Sequence, residues 1–486
     1  MSLARVVGIE TEYGVASAHL SAVPDGSAPP LSAEDAVTEI FRHTPQRHRS
    51  AHHFLPNGAR LYVDIGSHPE YAGAECRHLA DVLAQDRAGD AILADMLAVA
   101  NADLAPRGMR IHLLKSNADA RGNTFGCHEN YQFSRSRELP TAGFVGFLAA
   151  RQILTGAGML PFPGEDRPAT SSPLAPMFYS ARAPYMTAAT SADPTRERAF
   201  INTRDEPHAD RARWRRLHVI AGDSAMCEAT TAVKVMLADA VLSLIEAGDW
   251  DLAEVELTDP IAALAVWNLD PNARAERTGG RDPISCPDLL TLVCDRIADH
   301  LAPDELTARA FDLARRGIAA LETGDYADVA TELDWAIKHR VLSHVAASAP
   351  AGWDGPRVLR TDLAFHDISA RTGLAAGLRT AGQLARWVSE EQVAAARMTP
   401  PADTRAQLRG AFVAACERTG RSASIGWAHL RLDRPPRPQL ELPDPLTDHD
   451  PAVAALIAEI DSLGPAAPEP APPRPAPLDA LPERTP

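Results

Sequence analysis

Apolar and polar residues alternate over part of residues 6–15, VVGIETEYGV, and strictly over residues 60–65, RLYVDI. A period of two is that of a strand with one face packed and the other polar. Further strands are predicted over 109–115, 123–134, 199–203 and 216–221, and one short strand within 358–368. Helices are predicted over 33–42, 79–104, 143–155, 224–248, most of 287–340, and 373–398. Ser32 offers an N-cap to the first helix, with Asp35 at the capping-box position. Asn57-Gly58 marks a turn before the strictly alternating strand.

The punctuation divides the chain. Residues 21–30 and the Pro/Ser/Ala-rich stretch 159–194 read as irregular loops, and so long a loop as the second is usually functional or mobile. Pro400-Pro401 breaks the last long helix. The expected organisation is a large unit over 1–400, a small C-terminal unit over 401–463, and a tail over 464–486. That tail has nine prolines in its last 22 residues and is too poor in apolar residues to build a core, so disorder is expected there.

Composition then narrows the function. The 486 residues carry 48 Lys+Arg against 64 Asp+Glu, a formal charge of −16, which argues against a general nucleic-acid binder. No run of about 18 apolar residues points to a membrane span, and no secretory signal is read at the start. The six cysteines are scattered without a C-x-x-C pair, the pattern of reduced thiols in a cytoplasmic protein. Only three basic residues are lysine, namely Lys115, Lys234 and Lys338.

Four segments combine polar density with strand alternation. In GIETEYG, period two puts Glu10 and Glu12 on one face, about 7 Å apart. Two such carboxylates suit Mg²⁺, a hard cation that prefers oxygen, and equally suit a solvated strand face. In RLYVD, Arg60, Tyr62 and Asp64 share a face, able to hold phosphate, touch a metal and accept a proton; an edge strand with its polar side in water is the alternative. The turn GSHPE that follows adds Glu70. In GCHENY, His128 reads more naturally as a satisfied core group than as a ligand. In INTRDEPHAD, Arg204 suits a bidentate phosphate grip and His208 a metal shell, against a salt-bridged surface turn. No P-loop, G-x-S-x-G elbow or dinucleotide-binding glycine motif is present, so a nucleotide would bind on a carboxylate-and-arginine sheet.

With GIETEYG, NGARLYVDIGSHPEYAGAEC, GNTFGCHENY, INTRDEPHAD and RRLHVIAGDSAMCE in one order, the chain resembles the Pup ligase family, relatives of the carboxylate–amine ligases and glutamine synthetase. The resemblance runs from about residue 3 to 446 and is densest over the first 230. It implies an α+β fold: a glutamine-synthetase-like curved antiparallel sheet with helices behind, plus a small C-terminal domain. It implies ATP and Mg²⁺ as cofactors. Glu10, Tyr62 and Glu70 fall on metal-binding positions, Arg60 and Trp427 on nucleotide-contacting positions, and Asp64 on the catalytic aspartate. Gly73 stands where the ligases commonly have threonine, which leaves only a backbone contact to nucleotide there.

The implied partners are Pup, the prokaryotic ubiquitin-like protein, and lysine-bearing substrate proteins, with the bacterial proteasome downstream. The implied reaction joins the C-terminal glutamate side chain of Pup to a substrate lysine. The sister deamidase and depupylase and a small-molecule glutamate–amine ligase are the alternatives. GSHPEYA, the cysteine of CHENY and DSAMCE favour the ligase branch. On this reading self-conjugation, where it occurs at all, is expected to be slow and to map to one of Lys115, Lys234 and Lys338.

Overall fold

A computed structural model describes all residues except 1–2, 23–28, 43, 45–51, 65, 120–121, 163–171, 173, 194–196, 302–303 and 467–486. Most of the Pro-rich tail and two histidines of the loop before Asn57 therefore lie outside the described residues. The first predicted strand divides at Tyr13, which is fully buried and donates its hydroxyl to Asp90 at 2.6 Å. The chain forms β1 (Val7–Glu12) before that point and β2 (Gly14–His19) after it. β3 (His53–Phe54), β4 (Arg60–Asp64), β5 (His68–Ala72), β6 (Met109–Leu114), β7 (Cys127–Ser134), β8 (Ala188–Ser191), β9 (Ala199–Asn202) and β10 (Trp214–Val219) follow.

Eight of these make one sheet in the order β3-β4-β5-β1-β7-β10-β9-β8, while β2 pairs with β6. All pairs in the large sheet are antiparallel except β8 with β9, which is parallel. The fold is α+β, as expected, with that one parallel edge as a departure. The sequence predicts a constrained turn ahead of Glu70, and strand β5 begins within it, at His68. Gly66 does turn, with φ +90°, but Pro69 is accommodated within the strand opposite Val63.

The helices are α1 (Ala33–Phe41), α2 (Leu79–Leu104), α3 (Thr141–Leu154), α4 (Glu228–Ala247), α5 (Pro260–Trp267), α6 (Cys286–Ile297), α7 (Glu305–Thr323), α8 (Asp334–Ser348), α9 (Pro356–His366), α10 (Leu374–Thr380) and α11 (Glu390–Met398). Ser32 caps α1 by accepting from the Asp35 amide at 3.1 Å. Two expectations need correction. The strand expected in 358–368 is helix α9, because Pro356 at its first turn presets helical φ and Val358 and Phe365, seven apart, bury one face. Only Asp367 makes an isolated bridge, to Leu114. The helix expected over 373–398 is two, α10 and α11, separated by a turn at Gly382 (φ +68°) and restarted by a Ser389/Gln392 capping box.

The sheet's rear face carries Ile9, Leu61, Tyr71, Tyr131 and Leu217, all buried in the main core with α2, α3 and α4. Charges on this side are paired. Arg151 of α3 grips Glu129 of β7 with two bonds of 2.7 Å, and both are essentially unexposed. Lys115 donates to Asp86 at 2.9 Å and Asp90 at 3.2 Å.

After residue 400, α12 (Ala406–Thr419), β11 (Ala423–Ile425), β12 (His429–Leu432), β13 (Leu440–Glu441) and α13 (Pro451–Ser462) surround a second apolar cluster that includes Phe412, Leu430, Val453 and Ile460. The two cores meet at an ion-pair cluster. Arg405 donates to Glu75 at 2.8 Å, and Arg409 grips the same carboxylate while donating Nε to the Gly58 carbonyl at 3.0 Å.

Candidate active site

Strand register assembles the site. Tyr62 lies opposite Glu70, Glu70 opposite Glu12, and Arg60 opposite Ala72. Ala72 faces Glu10, which faces His128 on its other side. One strand further, Asn130 lies opposite His218. Because side chains alternate faces, all of these occupy the front of five neighbouring strands. Asp64, at the end of β4, joins Glu12 and Glu70, and their carboxylate oxygens lie within 4.8 Å of one another. Glu10, His128 and His218 form an adjoining group of the same span.

The electrostatics separate the acids. Burial pushes the Glu70 carboxyl well above the usual carboxylate range, and the nearby Glu10 and Glu12 add to it. Burial also opposes ionisation of Glu10, but His128, His218 and Arg216 overcome it and hold that carboxyl far down. Asn130 donates to Glu10 at 3.0 Å, and Arg216 lies 3.7 Å away. Burial, with the neighbouring Glu70 and Glu10 carboxylates, raises the Tyr62 phenol, whose ring centroid lies 4.0 Å from the Arg60 guanidinium carbon.

A pocket opens beside this face. Its lining includes Glu10, Gly73, His208, Trp214, Arg216 and Trp427, reaching from the sheet to the C-terminal unit. Trp427 is held by Arg409, whose guanidinium carbon sits 4.7 Å from the ring centroid and which donates to the Trp427 carbonyl at 3.1 Å. Phe54 meets the indole edge-on at 5.1 Å. The lining thus combines an aromatic surface, able to stack on a base, with arginines, able to meet phosphates.

Glu10, Glu12, Arg60, Tyr62, Asp64 and Glu70 thus share one surface, and Gly73 and Trp427 line the pocket next to it. Arg204 and His208 lie off the sheet face. Arg204 is exposed, donates Nε to the Ala192 carbonyl at 2.8 Å, and is absent from the pocket lining. His208 lines the pocket at φ +49° but belongs to none of the candidate metal groups among the described residues. Loss of water around its ring and the nearby Arg216 and Arg405 push its imidazole down to about 4. Beside Glu10 the sheet places His128, His218 and Arg216, none of which the sequence reading assigns to the site.

The surface retains unmet polar groups. Glu70 Oε1, both ring nitrogens of His218, Arg60 Nε and Arg216 Nε are buried without a hydrogen-bond partner. Such orphans are costly unless a ligand meets them. Oxygen-rich donors around an orphaned carboxylate fit Mg²⁺.

Comparisons with known proteins agree over most of the chain. A family profile described as Pup-ligase protein matches residues 5–431. A Pup–protein ligase of Brachybacterium faecium is 42% identical over 482 residues, covering 96% of this chain and 99% of that protein. One of Nakamurella multipartita is 38% identical over 462 residues, covering 93% and 99%. The solved complex of the prokaryotic ubiquitin-like protein Pup with its ligase PafA superposes with a TM-score of 0.85 at 33% identity, covering 94% of this chain and 91% of that one. PafA in complex with ADP superposes with a TM-score of 0.78 at 32% identity, covering 91% and 98%. On sequence and fold together, the chain belongs to the Pup ligase family.

Proposed function

We propose that this protein is an ATP-dependent Pup–protein ligase that joins the C-terminal glutamate side chain of Pup to lysines of other proteins, marking them for the proteasome. The observation that carries the reading is the continuous acidic face beside an aromatic-walled pocket, in a chain of this family.

A carboxylate is a poor acyl donor, because oxide is a poor leaving group. Transfer of the ATP γ-phosphoryl to the glutamate oxygen makes a C–O–P linkage and releases ADP. The lysine nitrogen then attacks the acyl carbon, the C–O bond to phosphate breaks, and an isopeptide bond remains. Trp427 and the Gly73 backbone seat the nucleotide. Arg60, with Arg216, offsets charge on the transferring group. Asp64 accepts the proton the lysine ammonium must lose, a role typically worth a factor of about 10²–10⁴. Glu10, Glu70 and Tyr62 would hold Mg²⁺, with Glu12 alongside; the metal supplies charge neutralisation for the phosphate oxygens. The C-terminal unit, residues 401–463, contributes the wall that carries Trp427.

No described helix is long and apolar enough to cross a membrane. All six cysteines are buried and unpaired, which supports a cytoplasmic setting. The test is one reaction containing the protein, ATP, Mg²⁺, glutamate-ended Pup and a lysine-bearing acceptor. The expected result is a covalent product whose mass is the sum of the two proteins less one water, formed only with ATP turnover. Absence of product alongside ATP turnover driven by free glutamate would replace this reading with a small-molecule ligase.

A further inference from the structure

Arg182 is 5% exposed, yet its guanidinium is left without a partner. Nε is buried with no hydrogen bond, and no carboxylate among the described residues forms an ion pair with it. Its own backbone amide is well held, by Asp223 at 3.1 Å and Ser180 Oγ at 3.2 Å, so the side chain is aimed by a rigid turn. A guanidinium cannot shed its proton, so the charge stays, and burying it unpaired is unfavourable unless a ligand anion completes it.

Its surroundings say where that anion lies. A Cβ on Gly126 would come within 2.6 Å of both Arg182 Nη1 and His128 Nε2, so only glycine allows these two groups to converge. His128 Nε2 is 3.6 Å from Glu12, which belongs to the Glu12/Asp64/Glu70 group. Glu12 is the strongest electrostatic attraction that Arg182 feels, and Arg198 adds a second positive charge nearby. Arg182, Glu12 and Gly126 take no part in the nucleotide pocket, whose lining instead includes Glu10, Gly73, Arg216 and Trp427. Arg182 therefore reaches the acidic face from a flank that the nucleotide pocket does not use.

We propose that Arg182 binds the glutamate carboxylate of Pup that accepts the phosphoryl group. In an in-line transfer the acceptor sits across the γ-phosphate from the leaving ADP. The flank away from the nucleotide is thus where the acceptor carboxylate must enter. The planar fork of arginine matches a carboxylate with two parallel bonds, which fixes one oxygen toward the phosphorus. This assignment rests on the ligase reading.

The experiment compares wild type with Arg182→Met and Arg182→Lys in the conjugation assay, with ADP affinity and melting temperature measured alongside. Arg182→Met is expected to raise the KM for Pup at least tenfold, to leave ADP affinity within twofold, and to melt no lower than wild type, since an uncompensated charge is removed. Arg182→Lys, which keeps charge but loses the fork, is expected to fall between. Gly126→Ala is expected to raise the Pup KM as well, and to add little on top of Arg182→Met. A Pup KM within twofold of wild type in both arginine variants would overturn the proposal. So would a loss confined to ADP affinity, which would make Arg182 a nucleotide ligand. A wild type that forms no conjugate would take down the ligase reading itself and this assignment with it.

Discussion

Two buried arginines on opposite sides of one sheet show how this protein divides its charges. Arg151, behind the sheet, is doubly bonded to Glu129 and donates again to the Lys234 carbonyl at 2.9 Å. Arg182, toward the front, has no such partner. The same contrast recurs in further groups on each face, although Arg151 keeps one buried nitrogen, Nε, without a partner. Lys115 with Asp86 and Asp90, and Arg5 with Asp239 at 2.8 Å, are closed pairs. Glu70 Oε1, His218 and Arg60 Nε are open. A closed pair has offset its desolvation within the chain and serves the fold. An open group remains a cost to stability until a ligand arrives, and so marks function.

The sharpest way to break this contrast is to remove one charge from each face. Asp64→Asn is expected to lower the conjugation rate by about 10²–10⁴ with the melting temperature unchanged, because the residue is half-buried and joins no closed pair. Arg151→Met should do the reverse in stability. Stranding the buried Glu129 carboxylate is expected to cost about 3–5 kcal/mol. Urea unfolding of both variants, beside single-turnover rates, decides it. A stable Arg151→Met protein or a destabilised Asp64→Asn protein would show that the two faces do not differ in kind.

Glu75 is the mixed case, a closed pair placed at the pocket. Burial opposes its ionisation, but Arg409 and Arg405 overcome this and bring its carboxyl from 4.5 down to about 2. A depressed carboxyl gives stability that is complete above its unfolded value and is lost as pH falls through the folded one. That difference corresponds to about 3 kcal/mol at about 1.4 kcal/mol per pH unit. Glu75→Gln is therefore expected to melt lower than wild type at pH 7, with the gap closing between pH 4.5 and 2. It is also expected to weaken ADP binding several-fold, since Arg409 holds Trp427. An unchanged gap at pH 7 and pH 3 would remove Glu75 from the acid limb.

What the sequence disclosed follows the same division. Arg60, Tyr62 and Asp64 were legible because a strictly alternating strand puts them in one row. Glu10 and Glu12 were legible for the same reason. His128, Asn130, Arg216 and His218 are brought to the front by register between strands far apart in the chain, which no single segment encodes. The charge density of INTRDEPHAD drew attention to Arg204 and His208, but a turn has no period to show which side chains face inward. Glu75 and Arg409 are 334 residues apart, and their pairing is set only when the two cores dock. Arg182 lies in a loop without alternation, and its only signal is the missing partner.

The smallest expected effect tests the closed class by its amines. All three lysines are about 1% exposed. Lys115 is paired to Asp86 and Asp90, Lys234 donates to the Asp223 carbonyl at 2.6 Å, and Lys338 is paired to Asp362 at 2.9 Å. The expectation of slow labelling at one of them is thereby sharpened: while the protein is folded, no lysine side chain can reach an acyl phosphate. Incubation with ATP, Mg²⁺ and Pup should give no adduct at positions 115, 234 or 338 by peptide mapping, while an added substrate protein in the same tube is modified. Arg360→Lys supplies the missing acceptor at an exposed position of α9. It is expected to change stability by no more than about 0.5 kcal/mol and to introduce an adduct that maps to position 360. Adducts on the native lysines of the folded protein would mean that the closed pairs open on the timescale of the reaction, and the division between the faces would then be one of dynamics as well as of pairing.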